Sequence, residues 1–210
     1  MTEIVSIEHD GADAAREGLE RTVGGGGVAI FPADTLYGLG CDPLRADAIE
    51  RIHEIKGRDD GKPSAVLYLN PLAMRELIAG IGPGARGAMA ALLPGPVTLV
   101  IANPERRYPL AARDDPERLG VRLIEGPLLG MALPLFQTSA NRAGEPPPAS
   151  FEEIDPEILE AADLAIDGGE LTGRPSTVVD VTGLETGNDW EVLREGALSV
   201  AEVAARLDLD

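Results

Sequence analysis

Lys56, Arg58 and Lys62 place three cations within the run K-G-R-D-D-G-K-P, residues 56–63. The chain around them is acidic, with 36 Asp and Glu against 18 Lys and Arg and a net charge of −18. Lys56 and Lys62 are its only lysines; the other basic side chains of the Lys/Arg class are all arginine. Three cations this close in so acidic a chain suggest a local anion site. A lysine head is a compact point charge that suits a phosphate oxygen, and an arginine forks onto two oxygens at once. The plainer alternative is a solvated basic turn after a helix. The run is not a P-loop, which needs four residues between its glycines, then Lys-Ser/Thr, then a helix. Here three residues separate Gly57 from Gly61, and Lys62 leads through Pro63 into the apolar run Ala65–Leu69. Phosphates at this place would be held by side chains of a helix-to-strand loop.

Other chemistry-bearing residues stand singly near the ends of expected strands: Thr35, Thr98, Arg122, Thr138, Ser139, Asn141, Ser176 and Arg194. Ser139 has no evident base, since the only histidines are His9 and His53. No pair of carboxylates is marked out for acid–base work. Isolated cations and hydroxyls suit the binding and alignment of a polar, anionic ligand. Phosphoryl and nucleotidyl transfer rest on that kind of positioning and charge neutralisation. Arg122 interrupts the apolar strand Gly120–Leu123, so it needs a partner, either an internal carboxylate or an anionic ligand. The Gly-punctuated segment Pro32–Asp42 brings Asp34, Thr35 and Tyr37 to a strand end, where open α/β sheets place ligands. An ordinary turn with Asp34 as an N-cap is the alternative there.

The elements that must position these residues follow from periodicity and punctuation. Strands are expected at Glu3–Glu8, Val28–Phe31, Ala65–Leu69, Val97–Ala102, Gly120–Leu123, Leu135–Phe136, Asp163–Asp167, Val178–Val181 and Trp190–Leu193. Helices are expected from a cap at Asp10 to about Val23, over Arg45–Lys56, and from Pro71 and Pro83. Further helices are expected ending at Gly130–Leu133, over 151–162, and from a cap at Ser199 to Leu207. Residues 103–118 read as a long polar loop and a candidate lid. Strands and helices mix without strict βαβ alternation. The expectation is an α/β fold with a twisted, open, mixed sheet flanked by helices.

At 210 residues the chain is expected to form one domain, 1–210, with ample length for a core. The single cysteine, Cys41, cannot form an internal disulfide, and no Cys/His cluster suggests a metal site held by protein ligands. Without a basic start, an apolar leader or a long apolar run, the expected location is the cytoplasm, away from membranes. The acidic balance disfavours a broad nucleic-acid surface.

Seven motifs occur in order: P-A-D-T-L-Y-G-L-G, K-G-R-D-D-G-K-P, L-P-G-P-V-T-L-V, G-V-R, T-S-A-N, S-T-V-V-D-V-T-G and L-R-E-G-A-L-S. Together they resemble the YrdC-like family, the threonylcarbamoyl-AMP synthases, in its short, single-domain form. The resemblance runs from about Ile4 to the last helix. It implies a YrdC-like fold with one large concave basic cavity. It also implies a nucleotidyltransferase reaction in which L-threonine, bicarbonate and ATP give L-threonylcarbamoyladenylate and pyrophosphate. This is the first step of t6A formation at position 37 of tRNA; the second transfer belongs to other proteins. By the family pattern Lys56, Arg58 and Lys62 would hold the phosphates as the catalytic set, with Mg²⁺ sharing the charge through ATP. Arg58, Lys62, Thr98, Ser139, Asn141 and Arg194 would bind ATP. Thr35, Arg122, Thr138 and Ser176 would bind threonine, with Arg122 on its carboxylate. Partners implied are the substrates, and tRNA or t6A-transferase proteins.

The sequence departs from the pattern at Ala33, more usually Thr, at Leu67, which is His in some members, and at Ile124, often Pro. Three other readings compete: a carbamoyl-transfer domain with another acceptor, an RNA-binding module, and an inactive structural subunit. Retention of the polar set makes the last the weakest.

Overall fold

The computed structural model describes residues 1–57, 63–187 and 189–207. The chain begins with β1 (Glu3–Ser6), α1 (Ile7–Asp10), α2 (Ala12–Gly24), β2 (Ala29–Pro32), β3 (Tyr37–Cys41), α3 (Ala46–Ile55) and β4 (Ala65–Tyr68). It continues with α4 (Arg75–Gly80), α5 (Pro83–Leu92), β5 (Val97–Ala102), α6 (Pro109–Ala112), β6 (Arg118–Leu123) and β7 (Leu135–Ser139). It closes with α7 (Pro156–Ala161), β8 (Leu164–Asp167), β9 (Thr177–Asp180), β10 (Glu191–Arg194) and α8 (Val200–Leu207). The ten strands form one mixed sheet in the order β1-β8-β2-β3-β7-β4-β6-β5-β9-β10. The expected mixed sheet flanked by helices is what forms.

Side-chain alternation decides what each face of the sheet becomes. On β5, Val97, Leu99 and Ile101 are fully buried on one face; on β6, Leu119, Val121 and Leu123 join them. Ile49 and Ile52 of α3, Met89 and Leu92 of α5 and Val203 of α8 pack over this face. The opposite face is covered by α2 at one end only, through Ala15, Leu19 and Val23 against Phe31, Leu164 and Ile166. Over β5, β6 and β9 that face carries Thr98, Val100, Arg118, Gly120, Arg122 and Val178. There it forms the floor of a cavity.

Helix ends follow their local chemistry. Pro83 opens α5 and Pro156 opens α7, where a missing N–H costs nothing. Ser199 and Glu202 cap α8 reciprocally, each accepting a bond from the other's backbone N–H, at 3.3 and 2.8 Å.

Four expectations are corrected. Pro32–Asp42 is mostly strand: β3 lies between β2 and β7, and its even positions are Gly38 and Gly40. A Cβ on Gly40 would lie 2.7 Å from the Phe31 ring, so the strand is bare where that ring crosses it. Asp10 does not cap α2; its carboxylate accepts from the Ser6 N–H, and Gly11 takes the cap position. No helix precedes Gly130–Leu133. Gly126 and Gly130 have φ of 135° and 119°, which a helix does not accommodate, and a turn forms. Finally, residues 103–117 are stitched down, which argues against a swinging lid. The Asn103 amide donates to the carbonyls of Arg107 and Pro116 and accepts from the Arg107 N–H. Within this stretch α6 buries Ala111 and Ala112, and the Ala111 carbonyl accepts from Ser64 N–H.

Candidate active site

A cavity of about 450 Å³ opens over the uncovered part of the sheet. Thr35, Thr98, Arg122, Thr138, Ser139, Ser176 and Arg194 all line it. These seven come from the β2–β3 connection, β5, β6, β7, the start of β9 and β10, so the sheet gathers residues spread over most of the chain. Pro63 and Ser64 line it too. Arg58 and Lys62 lie outside the described residues.

Arg122 is the centre of one side. Its residue exposure is 4%, and its Nη2 donates to Asp34 Oδ1 at 2.5 Å, its Nη1 to Gln137 Oε1 at 3.0 Å. The partner that the apolar strand demanded is therefore an internal carboxylate, and Asp34 is not an N-cap. Burial pulls the Arg122 pKa down, Asp34 opposes that pull, and the charge of Arg194 adds to it. Thr35, 3% exposed, follows Asp34 in the same turn, and its carbonyl is held by the Gly173 N–H at 3.1 Å.

Thr98, Ser176 and Arg194 form a second group. The Thr98 and Ser176 hydroxyls are 2.9 Å apart, and Arg194 Nη2 donates to the Ser176 carbonyl at 2.8 Å and to its hydroxyl at 3.3 Å. Parallel pairing of β5 with β9 sets Thr98 beside Val178, one turn of the pleat from Ser176. Among the described residues no carboxylate forms an ion pair with Arg194.

Ser139 ends β7, and Asn141 lies in the turn that leaves it. The Ser139 hydroxyl lies 2.5 Å from Asn141 Oδ1, and the Asn141 amide donates to the carbonyls of Arg142 and Glu145. Lys56 sits behind this turn. Its ammonium donates to the carbonyls of Ser139 and Asn141 at 2.6 and 2.7 Å. Lys56 and Asn141 do not line the cavity; they hold the turn that presents Ser139 to it.

The sequence matches the Sua5/YciO/YrdC family, described as "Telomere recombination", over residues 21–196. The chain belongs to this family. A Chromohalobacter salexigens protein named threonylcarbamoyl-AMP synthase is 34% identical over 168 residues, covering 77% of this chain and 89% of that protein. Sua5 of P. abyssi, solved in complex with L-threonine, matches with a TM-score of 0.83 and 27% identity over 99% of this chain. The chain spans 61% of the length of that Sua5. YciO of E. coli matches with a TM-score of 0.80 and 25% identity, covering 97% of this chain and all of that one.

Within this Sua5/YciO/YrdC frame the structure gives contacts to residues in and behind the cavity wall whose roles the sequence left open. Asp34 and Gln137 hold Arg122. Arg118 lines the wall with Asp115, and its Nη1 lies 3.0 Å from Asp180 Oδ2. Arg118 is four positions before Arg122, on the same face of β6; starting the strand at Gly120 hid that parity. Tyr37 lines the cavity beside Leu36, and its hydroxyl donates to the Gly169 carbonyl at 2.7 Å and accepts from the Gly168 N–H at 3.0 Å. That pair of bonds draws the 168–175 segment over Thr35. Leu67, at a place where some members have His, is fully buried among the α2-side apolar residues.

Proposed function

We propose that this chain is a threonylcarbamoyl-AMP synthase, a nucleotidyltransferase. L-Threonine, bicarbonate and ATP give L-threonylcarbamoyladenylate, pyrophosphate and water. Membership of the Sua5/YciO/YrdC family and the synthase names carried by its relatives support this reading. The observation that carries it is the buried Arg122 in a cavity rimmed by hydroxyls, with a second, exposed arginine across from it. A buried guanidinium beside Thr35, Thr138 and Ser176 fits a small hydroxylated amino acid, its carboxylate on Arg122. Thr98, Ser139, Asn141 and Arg194 fit the nucleotide, Asn141 by shaping the turn. Arg58 and Lys62 are assigned the phosphates on sequence alone, and Lys56 supports Ser139 from behind.

The chemistry then asks for alignment. The neutral threonine amine attacks the carbon of carbon dioxide and gives a carbamate and a proton; from bicarbonate the same carbamate forms with the loss of water. A carbamate oxygen attacks the α-phosphorus of ATP, and the bond to the bridging oxygen of pyrophosphate breaks. Pairing the carboxylate with Arg122 fixes the amine end; holding the ribose and phosphates fixes the electrophile. Among the described residues no three His, Cys, Asp or Glu side chains gather as a metal site. Mg²⁺ is proposed as the counter-ion that arrives on the ATP phosphates. No helix among the described residues is long and apolar enough to cross a membrane. We assign the chain to the cytoplasm as a single domain, with tRNA-modifying proteins as consumers of the adenylate.

Pyrophosphate release from Mg·ATP, with threonine or bicarbonate omitted in turn, tests the reading. Release that needs both is the expected result. Release that needs neither, or carbamoyl phosphate replacing both, would overturn it.

A further inference from the structure

Arg122 is fixed by two side chains from two other parts of the sheet. Asp34, from the β2–β3 connection, takes Nη2, and Gln137, on β7, takes Nη1. Asp34 itself has little freedom. The Ala33 N–H donates to the Leu36 carbonyl at 3.2 Å and closes the turn, and the Gly173 N–H holds the next carbonyl, that of Thr35. Arg122 Nε and Asp34 Oδ2 are buried and have no hydrogen-bond partner among the described residues. Side-chain exposure is 5% for Arg122 and 15% for Asp34. A guanidinium this deep carries a large desolvation penalty, and a carboxylate within hydrogen-bond reach offsets it. Without that carboxylate the arginine would be buried with a neutral amide alone, and turning toward water would become favourable.

We propose that Asp34 is a positioning residue for the substrate carboxylate. It holds the Arg122 guanidinium in one plane and compensates its charge before the amino acid arrives. The incoming carboxylate then meets an arginine already turned toward it, and the rotamer freedom of a long side chain is not lost at binding. Gln137 sets the tilt of the same plane. The proposal rests on the reading of Arg122 as the threonine contact, and it predicts an effect on threonine that ATP does not share.

The experiment compares Asp34→Asn, Asp34→Glu and Arg122→Lys with the wild type by steady-state pyrophosphate release. Thermal shifts with threonine alone and with ATP alone are measured beside it. Asp34→Asn is expected to raise the KM for threonine by about thirtyfold or more. The KM for ATP is expected to stay within about twofold, since Asp34 makes no hydrogen bond to Thr98, Ser139 or Arg194 on the nucleotide side. The thermal shift from threonine should vanish while that from ATP persists. Asp34→Glu keeps the charge on a longer arm and should recover part of the threonine affinity. An unchanged KM for threonine in Asp34→Asn overturns the proposal, and so does an equal rise for both substrates. If Asp34→Asn does not fold, Asp34→Glu carries the test, and wild-type threonine KM in it overturns the positioning role. Arg122→Lys separates the two levels. An unchanged threonine KM there removes the carboxylate reading itself. A raised one beside an unaffected Asp34→Asn removes the positioning role alone.

Discussion

Lys56 Nζ lies 2.6 Å from the carbonyl oxygen of Ser139. A cation that sequence places among phosphate binders is thus engaged with the main chain, two bonds deep, in the turn after β7.

Lys56→Met should therefore act through the turn. Two carbonyls lose a charged donor, a change of about 1.5–3 kcal/mol for bonds of this type. The expected outcome is a lower Tm together with a raised KM for ATP, because Ser139 is no longer held in place. Thermal melts alongside ATP titrations check it. A fall in kcat with Tm intact would mean that Lys56 acts on the phosphates directly.

Ser176 joins Thr98 and Arg194, and its hydroxyl has no part in the core. Ser176→Ala should leave Tm nearly unchanged and raise the threonine KM by about three- to tenfold, the scale of one neutral hydrogen bond. Steady-state kinetics with threonine varied at saturating ATP measure this. A larger effect on ATP than on threonine would move Ser176 to the nucleotide side.

Much of this architecture is legible in the sequence, and the reasons are particular. Val97-Thr98-Leu99-Val100-Ile101 alternates, so β5 and the outward Thr98 can be read directly. The seven motifs mark every cavity hydroxyl except that of Ser64. Asp34 was visible as a carboxylate, but its tie to Arg122 spans 88 residues of chain, and only the sheet order brings them together. β3 was hidden because Gly38 and Gly40 leave half of its alternation blank. The apolar residues Leu128, Leu129 and Met131 imitate a helix face, yet the positive φ of the flanking glycines turns them into a loop.

Tyr37 gives a prediction at high pH. Burial pushes its phenol up to about 12, with the Gly168 N–H opposing and nearby Asp167 and Glu152 adding to the rise. A raised pKa means stability that is fully present below about 10, the unfolded value, and lost as pH climbs through the folded one. Wild-type Tm should fall steeply between those two values. Tyr37→Phe should melt lower at pH 7, by about 1–3 kcal/mol for two unmatched backbone groups, and should show a flatter alkaline limb. Melting curves from pH 7 to 12 for both proteins decide it.

Asp163 gives the acid counterpart. Burial raises its carboxyl, but the Arg51 guanidinium at 2.6 Å and the Val28 N–H at 2.8 Å outweigh this and hold it below its ordinary value. A depressed carboxylate contributes stability that is present above about pH 4 and lost as pH falls through the folded pKa. Asp163→Asn should be less stable than wild type at pH 7 and should converge on it in acid. Parallel acid titrations of Tm that fail to converge would show that Asp163 does not link proton uptake to unfolding.

On β6, six consecutive residues serve two masters. Arg118, Gly120 and Arg122 face the cavity, and Leu119, Val121 and Leu123 face the helices. A single inserted or deleted residue here would exchange the two sets, sending both arginines into the apolar layer and three aliphatic chains into the site. Length change at this strand is therefore forbidden twice over, once by folding and once by catalysis. Descendants of this chain can vary its loops in length, but they inherit β6 as an indivisible word.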